Sequence, residues 1–252
     1  MDYRDSVDLS DSRTQRASGG GGGGRMALGG GVGGLVLMLL VVFVGPRFGI
    51  NVSDLLGSSS GQDTQPAVQG SDLDHCKQKD VNVNTNRECR WLLYEKVLQD
   101  YWSKTATNYK YATVKLFSGT INTACGVGQT EMGPFYCSGD STVYIDDSYV
   151  GQLLKQLGAS GGDAAELYIV AHEFGHHIQN LDGTMRKVTR GTGADSAQVR
   201  LELQADCYAG VVFNQVMKDS NSPIKAVTKD DLLRIADAAR SVGDDHIQKQ
   251  QG

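Results

Sequence analysis

The segment His172-Glu173-Phe174-Gly175-His176 holds two histidines four residues apart, with a glutamate directly after the first. Residues four apart lie on one face of a helix, so His172 and His176 can bind the same metal ion. Glu173 then flanks the open side of that ion, where hydrolysis needs a general base. Catalytic zinc usually takes a third ligand, a histidine or a carboxylate, and leaves its fourth position to water. The spacing therefore predicts a zinc site built for hydrolysis.

A second segment, Glu202-Leu203-Gln204-Ala205-Asp206, supplies two carboxylates one helical turn apart. Glu202 is predicted to be the third zinc ligand, and Asp206 is predicted to hydrogen-bond a ligand histidine and fix its orientation. Both residues interrupt a largely apolar segment, where buried carboxylates are costly unless a metal or another partner compensates them. Two solvated carboxylates on an exposed helix face are the alternative at this point.

Two helices must position these residues. Apolar side chains recur at helical spacing in residues 163–180, with Asp163 as the predicted N-cap, and again in residues 196–217, where Leu203 is a predicted core residue. Gly175 lowers helix propensity, but a residue this small lets the second helix approach closely. The context therefore favours a metal site over a chance match to a short histidine pattern.

The other elements predict an α+β fold that is mainly helical with a small sheet. Alternating apolar and polar residues indicate strands, and helical periodicity indicates further helices. These are strands at 113–117 and 142–146 and helices at 88–103, 148–157 and 228–240, the last with Thr228 as cap and Asp231 three residues on.

Five cysteines bear on the compartment and on the stability of the fold. Cys76 with Cys89, and Cys125 with Cys137, are predicted to form two short-range disulfides, as expected in an oxidising compartment. Each would close a loop of about 13 residues and contribute about 3 kcal/mol. A second zinc site is disfavoured because no CxxC spacing occurs. Cys207 is left over and is predicted to be a small buried apolar residue.

Four regions are predicted along the chain. Residues 1–25 end in a glycine run and are expected to be a disordered leader, and the uncharged residues 26–44 are expected to be a transmembrane anchor. Residues 45–74 have the composition of a flexible linker, and residues 75–252 are long enough for one catalytic domain. A cleaved signal peptide is the alternative for the anchor, although no small-x-small cleavage site follows it.

The charges predict an orientation and a set of partners. Arg13, Arg16 and Arg25 precede the predicted anchor, and Arg47 closely follows it. The positive-inside rule then places the N-terminus in the cytoplasm and the catalytic domain outside the cell membrane. A net charge of -5 and the lack of a basic block argue against nucleic acid as a partner. The expected partners are the membrane, through a single N-terminal helix, and a peptide or protein substrate.

Several segments resemble the bacterial putative neutral zinc metallopeptidases, a family of membrane-anchored proteins with gluzincin-like motifs. They are HEFGHHIQN, RLELQADCYAG, LFSGTINTACGVGQTEMGPFYC, STVYIDDSYV and AARSVGDDHIQKQQG, so the resemblance extends from about Val114 to the end of the chain. Family members usually continue beyond the GDDHIQ segment, which leaves a short or a truncated member as the two expectations for this chain.

The resemblance implies a zincin-like fold and one Zn²⁺ per chain. The implied ligands are His172, His176 and Glu202, with Glu173 as base and Asp206 orienting a ligand histidine. In zincins a sheet edge beside the active-site helix binds an extended peptide by backbone pairing. The resemblance suggests residues 142–146 for that edge, with an ordinary inner strand as the alternative.

The function expected from the sequence is that of a membrane-anchored zinc metallopeptidase in which Glu173 is the general base for a zinc-activated water. One alternative is a membrane-tethered binding or scaffolding protein that retains a zinc site, and another is a zinc amidase acting on a non-peptide bond such as a cell-wall amide. A structural zinc needs four protein ligands and no base, so Glu173 argues against the scaffold. Tyr144, Tyr208 and His246 are candidates for the oxyanion donor by residue type alone.

Overall fold

The computed structural model describes residues 1–17, 73–188 and 196–242. Within these ranges the chain forms six α-helices and eight short strands. The helices are α1 (Arg87–Thr105), α2 (Val150–Gln156), α3 (Asp163–Leu181), α4 (Thr184–Lys187), α5 (Ala197–Lys218) and α6 (Lys229–Val242). The strands are β1 (Asp2–Tyr3), β2 (Thr14–Arg16), β3 (Thr113–Leu116), β4 (Thr120–Thr123), β5 (Gly126–Gln129), β6 (Phe135–Cys137), β7 (Thr142–Ile145) and β8 (Ile224–Ala226). The predicted α+β class is therefore confirmed.

The central sheet has the strand order β2-β3-β7-β6. Strand β3 runs parallel to both β2 and β7, whereas β6 pairs with β7 in the antiparallel direction. Strand β7 thus has a neighbour on each side, and all four of its residues are buried. The suggestion that residues 142–146 form the substrate-binding edge is wrong for this reason. Among the described strands, the sheet edge on this side is β6.

The N-terminal residues belong to the folded domain. Strand β1 pairs with β8 and β2 extends the central sheet beside β3. The hydroxyl of Ser12 and the N–H of Arg13 both donate to Glu95 of α1, at 2.7 Å and 3.1 Å. The prediction of a disordered leader over residues 1–25 is therefore wrong for residues 1–17. Residues 18–25 lie outside the described part of the chain.

The predicted membrane topology is also corrected. It placed the N-terminus and the catalytic domain on opposite sides of a membrane, whereas strand pairing joins residues 1–17 to the domain itself. In the described ranges, no helix has the length and the apolar character that crossing a bilayer requires. The prediction of a single-pass membrane protein is therefore wrong. Both the proposed span, residues 26–44, and most of the proposed linker lie outside the described residues.

Helix α3 is the central element, and it packs against α5, α6 and α1. The close approach of α3 and α5 depends on Gly175, because a Cβ atom at this position would lie 2.8 Å from the Cα of Ala205. Ser196 caps α5 by accepting a hydrogen bond from the N–H of Val199, at 3.2 Å. Asp163, the predicted cap of α3, lies inside the first turn of that helix instead. The prediction of two packed helices around Gly175 agrees with this arrangement.

Two disulfides join the smaller pieces to the core. Cys76–Cys89 connects the turn before α1 to its first helical turn, and Cys125–Cys137 connects the β4–β5 hairpin to β6. Both predicted bridges are therefore present. Cys207 is exposed, contrary to the prediction that it is buried. It shares the outer face of α5 with Leu203, which is 60% exposed and so is not a core residue.

Candidate metal centre

Helices α3 and α5 bring three predicted ligands to one point. The Nε2 atoms of His172 and His176 lie 3.1 Å apart, and each lies within 3.2 Å of Oε2 of Glu202. Ligands bound about 2.0–2.1 Å from a tetrahedral zinc ion are separated by about 3.3 Å from one another. The distances among these three atoms therefore fit a zinc ion bound at their centre.

The hydrogen bonds of the His172 and His176 rings give a second test of whether the site fits a metal ion. Nδ1–H of His172 donates to Oδ1 of Asp206 at 2.8 Å, and Nδ1–H of His176 donates to Oε1 of Gln179 at 2.9 Å. A neutral imidazole with its proton on Nδ1 has a lone pair on Nε2. Two lone pairs and a carboxylate oxygen thus converge, and such a set requires a cation or a proton between its members.

The electrostatics of the centre agree with this requirement. Burial alone would lower the pKa of His172, but its hydrogen bonds to Asp206 and Glu202 outweigh burial and raise that pKa well above 6.5. The charge of Glu202 likewise raises the pKa of His176 against the effect of burial. Burial would raise the pKa of Glu202, but the two histidines lower it to about 2. The site therefore favours positive charge at its centre and keeps Glu202 ionised.

Two supporting residues were not predicted from the sequence. The hydroxyl of Tyr168 donates to Oδ1 of Asp206, the oxygen that also accepts from His172. Gln179 holds His176, and its own Nε2 donates to the carbonyl of Leu201 at 2.6 Å. Tyr168 lies four residues before His172, and Gln179 lies three residues after His176, so helical spacing was the signal that could have identified both. Each ligand histidine is thus oriented by a partner on its far ring nitrogen.

Glu173 lies on a different face of α3, towards β6. It is 8% exposed, and burial raises the pKa of its carboxyl group. The protonated forms of His176 and His172 lower the pKa of Glu173, and so does the nearby main-chain N–H of Tyr136. A carboxylate in such surroundings is a base of raised proton affinity beside the metal centre.

The contacts of the remaining residues that were candidates for the oxyanion donor lead away from the candidate metal centre. The hydroxyl of Tyr144 donates to Asp140 at 2.8 Å, and its ring stacks on Phe135 in a small apolar cluster. The ring of Tyr208 packs edge-on against Trp102. His246 lies outside the described residues. None of these contacts directs a hydroxyl group towards Glu173, so neither tyrosine is assigned as an oxyanion donor.

The whole chain, residues 1–252, matches the family model described as putative neutral zinc metallopeptidase. An uncharacterized protein of Mycobacterium tuberculosis is 37% identical over 210 residues, which cover 80% of this chain and 71% of that protein. The uncharacterized protein YpfJ of Escherichia coli is 34% identical over 220 residues, covering 84% of this chain and 72% of its own. No solved structure matches the chain.

Proposed function

Because the chain belongs to the putative neutral zinc metallopeptidase family, we propose that it hydrolyses peptide bonds at one zinc ion held by His172, His176 and Glu202. The observation that carries the proposal is the convergence of these three ligand atoms within 3.2 Å of one another. Bound zinc supplies Lewis acidity to the scissile carbonyl and makes the attacking water more acidic.

The side chains of the protein supply the other steps. Glu173 takes a proton from the attacking water and passes it to the leaving amine, a role for which its raised pKa suits it. Asp206 and Gln179 keep the protons of the two ligand histidines on Nδ1, so both Nε2 atoms stay available to the metal. These residues therefore orient the ligands without contacting the substrate.

We place the substrate along the free edge of β6, which takes the role first expected of residues 142–146. Tyr136 is paired opposite Val143, and its main-chain N–H lies near enough to Glu173 to lower the pKa of that carboxyl group. In an antiparallel strand the N–H and C=O groups of one residue point to the same side. The carbonyl of Tyr136 is thus available to an extended peptide beside the general base.

A purely structural zinc is the competing function, and the composition of the site argues against it. Structural sites are closed by four protein ligands, whereas the described residues at this centre offer three and place a buried carboxylate beside them. The family match likewise points to hydrolysis rather than to scaffolding. An amide outside the peptide backbone would use the same groups, so the test should include more than one amide substrate.

The test compares the full-length chain with two glutamate variants. We expect about one equivalent of zinc per chain and cleavage of an unstructured protein, with kcat reduced about 10²–10⁴-fold in Glu173→Gln at unchanged zinc content. Glu131→Gln changes an exposed glutamate in the same way and should leave kcat unaltered. A chain that binds zinc and cleaves neither peptides nor other amides would refute the proposal. Cleavage that persists in Glu173→Gln would refute the role of the base.

A further inference from the structure

His177 directly follows a zinc ligand in the sequence but faces away from the metal centre. Its ring is fully buried, and both ring nitrogens have partners. Nε2–H donates to the carbonyl of Lys110 at 2.6 Å, and Nδ1 accepts the hydroxyl proton of Tyr136 at 2.9 Å. Two short hydrogen bonds to groups far apart in sequence make this ring a link between α3, the segment before β3, and β6.

Tyr136 connects that link to the general base. Its hydroxyl oxygen also accepts a hydrogen bond from Nδ2 of Asn180 at 2.9 Å, and its main-chain N–H lies near enough to Glu173 to lower the pKa of that carboxyl group. Glu173, His177 and Asn180 are spaced four and three residues apart, so they lie on one face of α3. The hydroxyl group of Tyr136 is therefore held by two side chains of that face, on the side of α3 that also carries Glu173.

Strand β6 needs such an anchor because it has little pairing of its own. It is three residues long, and among the described strands it pairs with β7 alone. The Cys125–Cys137 bridge attaches its far end to the β4–β5 hairpin. The contacts of Tyr136 with His177 and Asn180 attach the strand to the helix that carries Glu173.

We infer that His177 is a positioning residue: through the hydroxyl group of Tyr136 it holds β6 against the face of α3 that carries Glu173. The catalytic consequence rests on the proposed function, whereas the anchoring of the strand does not. Loss of the anchor lets β6 shift against α3, which misaligns the base with a peptide bound along the strand. Loss of this anchor should therefore lower kcat more than it changes KM.

The kinetic test uses Tyr136→Phe, His177→Phe and the double variant. Each single change is expected to lower kcat about tenfold, with KM altered less than about threefold and zinc content unchanged. The double variant should be no slower than the singles, because both changes break the same anchor. Tyr94→Phe is the matched control, since it removes a buried hydroxyl that pairs with Tyr3 on another element. Equal kcat losses in Tyr94→Phe and Tyr136→Phe, or unchanged kcat in Tyr136→Phe, would overturn the catalytic role.

A second measurement does not depend on activity. Hydrogen exchange of residues 133–139 is expected to be at least about tenfold faster in His177→Phe than in the unaltered chain, while residues 113–116 in β3 keep their protection. Unchanged exchange at 133–139 would overturn the anchoring of β6 even if the chain is an active peptidase. Failure of the unaltered chain to cleave any amide would overturn the proposed function, and the exchange result would still decide whether His177 anchors the strand.

Discussion

Replacing Gly175 by alanine tests whether the spacing of α3 and α5 sets the metal centre. A Cβ atom at position 175 would lie 2.8 Å from Cα of Ala205 and 3.0 Å from its Cβ and carbonyl oxygen. Ordinary van der Waals contact begins near 3.4 Å, so the two helices must separate by roughly 0.6 Å. His172 and His176 lie on one of these helices and Glu202 on the other, so Glu202 moves away from both histidines by a similar amount.

Two opposing effects decide the sign of the stability change. Alanine is favoured over glycine inside a helix by about 0.8–1.0 kcal/mol, whereas forcing an extra carbon into a packed contact costs about 1–3 kcal/mol. We expect overpacking to win, with a net loss of up to about 2 kcal/mol in the free energy of unfolding. Metal sites tolerate distance errors of about 0.2 Å, so zinc affinity should fall at least about tenfold.

The matched control is Gly210→Ala on α5. Among the described residues, no atom outside the neighbouring backbone of α5 lies within 4 Å of a Cβ added at Gly210. Only the propensity effect therefore remains, and stability should rise by up to about 1 kcal/mol. Urea unfolding of the zinc-loaded protein measures stability, and competition with a chromophoric chelator measures zinc affinity. If Gly175→Ala stabilises the protein as Gly210→Ala does and keeps its zinc affinity, the reasoning about helix spacing is refuted.

Three further outcomes are expected. Asp206→Asn should weaken zinc binding about 10–100-fold, because Asp206 orients His172, whereas the exposed Asp230→Asn should not; chelator competition measures both. In the zinc-free protein the raised pKa values of His172 and His176 contribute stability that is complete below pH 6.5 and is lost as the pH rises through the folded-state values. The lowered pKa of Glu202 contributes stability that is present above pH 4.5 and is lost as the pH falls towards 2. The urea midpoint of the zinc-free chain should therefore decline at both the acidic and the alkaline end of the pH range. A midpoint that does not change with pH would contradict these pKa shifts. Replacing Cys76 and Cys89 together by alanine should cost about 3 kcal/mol for a sequence separation of 13, while Cys207→Ser at an exposed position should stay within about 0.5 kcal/mol, both measured by urea unfolding.

The grouping of His172, His176 and Glu202 was predictable because its information is local and chemically specific. The four-residue spacing alone puts His172 and His176 on one face of the first helix, and the same spacing puts Glu202 and Asp206 on one face of the second. The only further assumption was that these two helices pack against each other. Gly175 even indicated where those helices touch. The long helices were predicted to within a few residues for the same reason, since their apolar periodicity extends over several turns.

The N-terminal segment was mispredicted because its structure is not local. Residues 1–17 are polar and charged, and their strands are two and three residues long, so composition favours disorder. Their order comes from partners far along the chain: Glu95 of α1 and strands β3 and β8. Leu203 shows the opposite error, since its type and helical position suggested the core, whereas its side chain is 60% exposed. Sequence periodicity gives the phase of a helix but not which of its faces will be covered.

Helix α3 shows how two parts of one site can come from a single element. Residues 172, 176 and 179 form the face towards α5 and belong to the candidate metal centre. Residues 173, 177 and 180 form the adjacent face towards β6, with the proposed base and the contacts to that strand. Neighbouring residues on a helix are separated by about 100° of rotation, so a ligand and the base beside it must face different partners. The metal face was visible in the sequence because histidine and carboxylate types are rare inside apolar helices. The second face could not be recognised from the sequence, because its partner, Tyr136, is an ordinary aromatic residue on a strand far away along the chain. The relation between the two faces is therefore fixed by helix geometry, and any change that rotates or shifts α3 must alter zinc binding and base alignment together.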